Sequence, residues 1–235
     1  ALSQAERLRE EDPFTGTWTS IAPTRLIALL SRFEVDLNRP RDKAVYQSPE
    51  DAWGLQVWKK TPSAECVERS LAIHDAFYDE VRGLLDRMTR RYRRVVVLDL
   101  HTYNHRRAGP NREPADARGN PEVNIGTGTI ERARWAPIVD RFIVDLRNFD
   151  FLGRHLDVRE NVNFRGGFFP AWIHRHFPES VCALSIEFKK FFMDEWTGVP
   201  DRVQLSAIER ALKSTLWGLH EELVKLGLAG REILA

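Results

Sequence analysis

The stretch VVVLDLHTYNHRR, from Val95 to Arg107, decides how the whole chain is read. Its apolar residues follow one another without the spacing of an amphipathic helix. That pattern reads as a central strand of a parallel sheet, buried on both faces. In such sheets ligands gather beyond the carboxyl ends of the strands, and this strand ends at His101. An imidazole on a rigid strand end suits metal ligation or catalysis; it equally suits a plain hydrogen bond to the next loop. Asp99 shares a sheet face with His101 and is a candidate to orient its second ring nitrogen. His105 follows four residues later, but the intervening TYN is loop-like, so the pair lacks the shared face of a helical pair. His105 is therefore read as a polar wall, beside Arg106 and Arg107, which repel a cation.

Upstream, residues 63–92 form the clearest helix: Val67, Leu71, His74, Phe77, Val81, Leu84, Met88 and Tyr92 recur every three or four positions. His74 lies within this stripe and reads as a core histidine. A short helix over 2–11 stops before Pro13, and FTGTWTSIAPT is loop-like. A strand is expected from about Leu26 in RLIALLSRFEVDL (25–37), followed by an irregular polar-aromatic loop over 38–58. Downstream, a Gly- and Pro-marked loop (105–121) leads to a strand in EVNIGT and a helix over 131–147. PAWIHRHF is a short helix with proline at its front; its His174 and His176 point different ways and read as surface residues. SVCALSIEFKKFF is a second buried strand that turns polar at Glu187. The last helix begins near VPDRVQ, with Asp201 and Gln204 as a capping box. Its buried stripe is Leu205, Ile208, Leu212, Leu216, Leu219 and Leu223. Helices alternate with strands, so the fold class is α/β: a single domain with a mixed, mostly parallel sheet flanked by helices.

The length of 235 residues suits one such domain, and the formal net charge of +1 argues against a nucleic-acid surface. No apolar run reaches the length of a membrane span. Cys66 and Cys182 sit in apolar runs and read as small core residues of a reducing, cytoplasmic compartment. Of the 35 basic residues, 28 are arginine. Arginine grips planar anions, which points to carboxylate ligands or internal ion pairs; a coding bias gives the same count. The opening ALSQAERLREED has no signal-peptide character. It has neither Met nor a preceding strand, so further sequence upstream is expected.

Other groups share the chemistry of a strand-end site. Glu187 is expensive to bury unpaired. It is either a general base or the partner of Lys189, Lys190 or an arginine. Asn38 and Arg39 in DLNRPR suit a substrate carboxylate, whereas Arg41 reads as a surface ion-pair residue. Gly166 and Gly167 let backbone approach a ligand or make a turn. Glu11 and Asp12, in the acidic knot before Pro13, either complete a metal site or stay solvated.

In combination, REEDPFTG, SRFEVDLNRPR, VVVLDLHTYNHR, NVNFRGG and VCALSIEFKK resemble the N-formylglutamate amidohydrolase family. The resemblance covers most of the chain. It implies kinship in fold with the zinc carboxypeptidases and aspartoacylases. It implies about one zinc ion per chain, held by His101, by Asp12 in preference to Glu11, and by an earlier histidine. No histidine precedes His74 here, so a first strand and its metal-ligand loop are expected upstream of Ala1. The resemblance further makes Glu187 the general base. It matches Asn38 and Arg39 to a pair that holds a substrate carboxylate, Arg39 being a catalytic candidate too; Arg41, Asn163, Gly166 and Gly167 are the further candidate substrate contacts. The implied substrate is a small carboxylate-bearing N-formyl or N-acyl amino acid, N-formylglutamate by default, with no nucleic-acid or membrane partner. HTYNH departs from the usual pattern after the metal histidine and leaves the substrate open. A peptidase or amidase acting on short peptides, or a non-catalytic binding or structural protein on the same fold, is the alternative. Oligomeric state is not encoded in any recognisable feature.

Overall fold

The computed structural model describes the backbone of residues 1–232 and the side chains of residues 1–227. Two nine-residue strands form its axis. Strand β1 (Val95–Tyr103) and strand β4 (Val181–Lys189) run parallel and in register from Val95 against Val181 to Tyr103 against Lys189. The short β2 (Val123–Gly126) pairs antiparallel with β4 and parallel with β3 (Val158–Glu160), giving the order β1-β4-β2-β3. The sheet is therefore mixed, as expected. The strand β3 carries no sequence signal, being only three residues long.

Six helices surround the sheet: α1 (Gln4–Glu10), α2 (Thr15–Trp18), α3 (Ala64–Tyr92), α4 (Arg132–Asn148), α5 (Phe168–His176) and α6 (Arg202–Glu232). The long helices match their periodic patterns. Ser63 caps α3 by accepting the Cys66 N–H. Asp201 caps α6 by accepting the N–H groups of Val203 and Gln204, and the Gln204 amide closes back on the Asp201 carboxylate. The α2 turn occupies part of the segment expected as loop, and its Trp18 is buried against Phe188 and Phe192.

Alternation along the strands divides the core. Cys182, Leu184, Ile186 and Phe188 face α4 and α6, joined by Val96, Leu98 and Leu100 of β1. Val181 and Ala183, with Val95 and Val97, face α3 and α5. On this second face the apolar pattern stops halfway. The positions that continue it are Asp99 and His101 on β1, and Ser185 and Glu187 on β4. Helix α5 begins only at Phe168, so the carboxyl ends of the strands are left to loops.

Three expectations change. β1 is an edge strand among the described residues, not a central one; β4 holds the centre. The apolar run of β1 reports two faces covered by helices, not two neighbouring strands. The expected strand from Leu26 is absent: residues 25–29 have no regular structure, and Leu29 is 91% exposed. An uninterrupted apolar run makes a strand only where it pairs, and this one makes no ladder with β1. A groove of about 1140 Å³ follows the β1 edge, lined by Leu26, Ile27, Leu84, Met88, Leu216 and Leu223 among others. His174 is also no surface residue. It accepts the Ala183 N–H on β4 at 2.9 Å and lies 3.0 Å from the Thr129 hydroxyl, and burial lowers its pKa to about 4.

Candidate active site

Parallel register places His101 directly beside Glu187 on the polar half of one sheet face. Asp99 stands behind His101, its Oδ1 at 3.1 Å from Nε2, and Ser185 donates to the other Asp99 oxygen at 3.3 Å. Asp12 approaches from the opposite side, 3.3 Å from His101 Nδ1. It comes from the turn that Pro13 forces at the end of α1, and β1 itself holds it. The Thr102 backbone N–H donates to Asp12 Oδ1 at 2.7 Å and the Thr102 hydroxyl at 3.1 Å. Thus residues 90 positions apart meet because the strand end offers an N–H that no neighbouring strand takes.

The segment 31–39 supplies the next layer. It folds as a turn, with Ser31 accepting the Glu34 and Val35 N–H groups. Arg32 donates to Asp36 at 2.7 Å and lies 4.0 Å from Asp12. Asp36 also accepts from the Tyr46 hydroxyl and, at 2.9 Å, from the Asn38 N–H. Asn38 has two faces. Its Oδ1 accepts the Phe169 N–H of α5 at 2.9 Å, and its Nδ2 lies 3.4 Å from His101 Nε2. A Cβ on Gly167 would sit within 2.5 Å of this amide, so the glycine is what lets α5 close on Asn38. Gly166 adopts φ +110°, a conformation that suits only glycine.

Electrostatics follow from the crowding of three carboxylates around one imidazole. Burial pushes Glu187 up to about 8; the charges of Asp12 and Asp99 add to this, while His101 and Arg32 oppose it. For Asp12 burial also pushes upward. The hydrogen bond and charge of His101, the Arg32 charge and the Thr102 N–H outweigh it and hold the carboxyl well below the usual range. Burial favours neutral His101, but Asp99, Asp12 and Glu187 carry its pKa well above 6.5.

The remaining candidates divide. Glu11 turns away to Arg7, at 3.0 Å, and to the Ser31 hydroxyl. Arg39 lies 3.6 Å from Asp36 and stacks 4.5 Å from the Tyr46 ring centroid; its carbonyl lies 3.0 Å from Nε2 of the buried core residue His74. Arg41 pairs with Asp75 at 2.8 Å on the surface, as its sequence suggests. The Asn163 side chain is engaged with Asn120 at 3.1 Å, and its N–H with Asn124 at 2.9 Å. His105 is kept from the cluster by Glu195, 2.6 Å from its Nδ1. Lys189 and Lys190 reach backbone carbonyls, leaving Glu187 without the lysine partner that was its alternative. Arg32 was missed in the sequence. The signal was present in its spacing of four from Asp36, but it was masked by the expected strand.

Among the described residues no group of three His, Cys, Asp or Glu side chains is arranged to hold a metal ion. No described helix is long and apolar enough to cross a membrane.

The family model described as N-formylglutamate amidohydrolase matches residues 1–193. The crystal structure of N-formylglutamate amidohydrolase from Ralstonia eutropha is similar, with TM-score 0.69 and 18% identity over 97% of this chain and 88% of that one. A gene product from Agrobacterium tumefaciens is similar with TM-score 0.51 and 19% identity, over 82% of this chain and 69% of that one. At these identities the structural likeness is one of fold. No curated protein matches the chain.

Proposed function

The chain belongs to the N-formylglutamate amidohydrolase family, and on that premise we propose that it is a zinc-dependent hydrolase of small N-formyl or N-acyl amino acids, N-formylglutamate first among them. The observation that carries this reading is the convergence of Asp12, His101 and Glu187 at one end of the β1–β4 pair.

The donor pair suits zinc in two of its positions. Ligands about 2.0–2.2 Å from a tetrahedral ion stand roughly 3.3–3.6 Å apart. His101 Nδ1 and Asp12 Oδ2 are 3.3 Å apart. Asp99 at the other ring nitrogen is the kind of carboxylate that orients a ligating histidine. A third protein ligand is not supplied by the described residues. When bound, zinc supplies a Lewis acid that polarises an amide carbonyl and acidifies water.

The chain's own groups do the rest. Glu187, whose pKa burial raises to about 8 in the metal-free chain, is the general base of this reading. It takes a proton from the water that attacks the formyl carbon. It then delivers it to the amide nitrogen as the C–N bond breaks, releasing formate and the free amino acid. Arg32, beside Asp12, places a cation where negative charge develops on the carbonyl oxygen. Asn38 and Arg39 are the candidates to bind the substrate carboxylate. Arg39 already leans on Asp36, so Asn38 is the freer donor toward the site.

The test is formate release from N-formylglutamate, with N-formyl and N-acetyl derivatives of other amino acids alongside, by zinc-loaded protein. Turnover that disappears in Glu187→Gln is expected. Absence of turnover across the whole panel would sink the reading.

A further inference from the structure

Lys190 is 1% exposed, one of the largest fully buried side chains in the molecule. A buried lysine is rare and costly unless its ammonium finds acceptors. This one finds two, both on the main chain of a segment about 180 positions away. Nζ donates to the carbonyl of Arg9 and, at 2.9 Å, to that of Glu11. Its own backbone N–H donates to the Tyr103 carbonyl at 3.0 Å. One residue thus ties together the end of β4, the end of β1 and the turn after α1. Those three places carry Glu187, His101 and Asp12.

We infer that Lys190 is a positioning residue that fixes the Asp12 turn against the strand ends, and so sets the separation of the Asp12 carboxylate from His101. The inference rests on the reading of Asp12 and His101 as the zinc-facing pair. The geometry explains why a cation stands where an apolar side chain would fill the same space. A methionine there packs equally well against the strand end but leaves two buried carbonyls without donors. The Asp12 carboxylate keeps its bonds to Thr102 and His101, but the turn that carries it loses both of its ties to the end of β4. Burial lowers the Lys190 pKa to about 8, against the charges of Asp12, Glu195 and Glu10, which favour the ammonium.

The experiment compares wild type with Lys190→Met and with Lys190→Gln, which keeps one amide donor. Amide hydrogen exchange of the segment 7–17 is read on metal-free protein, beside a reference segment in α4. Zinc affinity is read by competition with a chelator, and kcat and KM on N-formylglutamate. Lys190→Met is expected to exchange faster in segment 7–17 only. Its zinc affinity and kcat should fall roughly 10–100-fold, the usual range for groups that support a ligand, with KM within about twofold. Lys190→Gln is expected between the two. Unchanged exchange together with unchanged zinc affinity overturns the inference. So does faster exchange spread equally over α4, which marks a general loss of stability. If Lys190→Met does not fold, Lys190→Gln with wild-type protection of segment 7–17 overturns it as well. Failure of wild type to bind zinc or turn over substrate counts against the proposed function instead, and leaves the exchange comparison to be read on its own.

Discussion

At the scale of single residues, the site is a contest between burial and charge, and Glu187 shows it most directly. Its proton is held more tightly in the folded chain, at about 8, than at its ordinary value of 4.5. Protonation therefore favours folding. The contribution of this residue to stability falls as pH rises from about 4.5 to about 8, and changes little beyond. Glu187→Gln removes that dependence. Urea unfolding of metal-free protein is expected to show the variant roughly 1–3 kcal/mol more stable than wild type at pH 8, with the gap closing toward pH 5. In the zinc-loaded enzyme the same variant should lose roughly 10²–10⁴ in kcat. Under the proposed function, stability and catalysis would pull this residue in opposite directions. His101→Ala should abolish zinc retention on gel filtration in metal-free buffer. Arg41→Ala, by contrast, should leave KM within about twofold, because its exposed pairing with Asp75 contributes little. Glu187 and His101 were legible in the sequence because each ends an apolar run. Arg32 and the Asp12–Thr102 bonds were not, since contacts between distant segments leave no local pattern.

At the scale of elements, the α5 amino terminus is the sensitive part. Asn38 accepts the Phe169 N–H while its amide nitrogen faces His101, so α5 and the site share one side chain. Gly167→Ala puts a methyl within 2.5 Å of that amide. We expect kcat/KM to fall by about tenfold or more, with α5 intact by circular dichroism; activity equal to wild type would show that Asn38 need not hold this position. In a sequence a glycine pair such as this reads as a turn or as an opening for a ligand, because the neighbour it admits lies 129 positions away. The helices were legible for the opposite reason: α3, α4 and α6 carry their evidence within themselves, as caps and periodic stripes. The apolar residues after Arg25 misled because a strand is a property of two segments, and an apolar run in one does not say whether it pairs with another.

At the scale of the whole molecule, the open side of β1 matters most. An apolar groove of about 1140 Å³ lies beside an edge whose backbone groups have no strand partner among the described residues. Unpaired edges and exposed apolar surface invite non-specific association. The chain should therefore bind an apolar dye such as ANS in its native state, and Leu84→Glu in the groove wall should weaken that binding severalfold. Dye fluorescence no greater than that of a folded control protein would show the groove to be closed in solution. The α/β class was legible, because helical and apolar-run patterns alternate. The strand order was not, because two short strands inserted between the long pair carry too few residues to announce where they pair.

Register has a further consequence, one of time. His101 and Glu187, 86 positions apart in the chain, are adjacent only because β1 and β4 align residue for residue over nine positions. A slip of one position would turn either side chain to the opposite face. No local fragment can contain the site, and no loosely collapsed form can approximate it. In refolding, helix signal is expected to return early, since helices form from near neighbours. Zinc-binding competence is expected to return only with the slowest phase, when the most distant strands lock. Catalytic readiness in this molecule is therefore a late event, and its appearance marks the completion of the sheet.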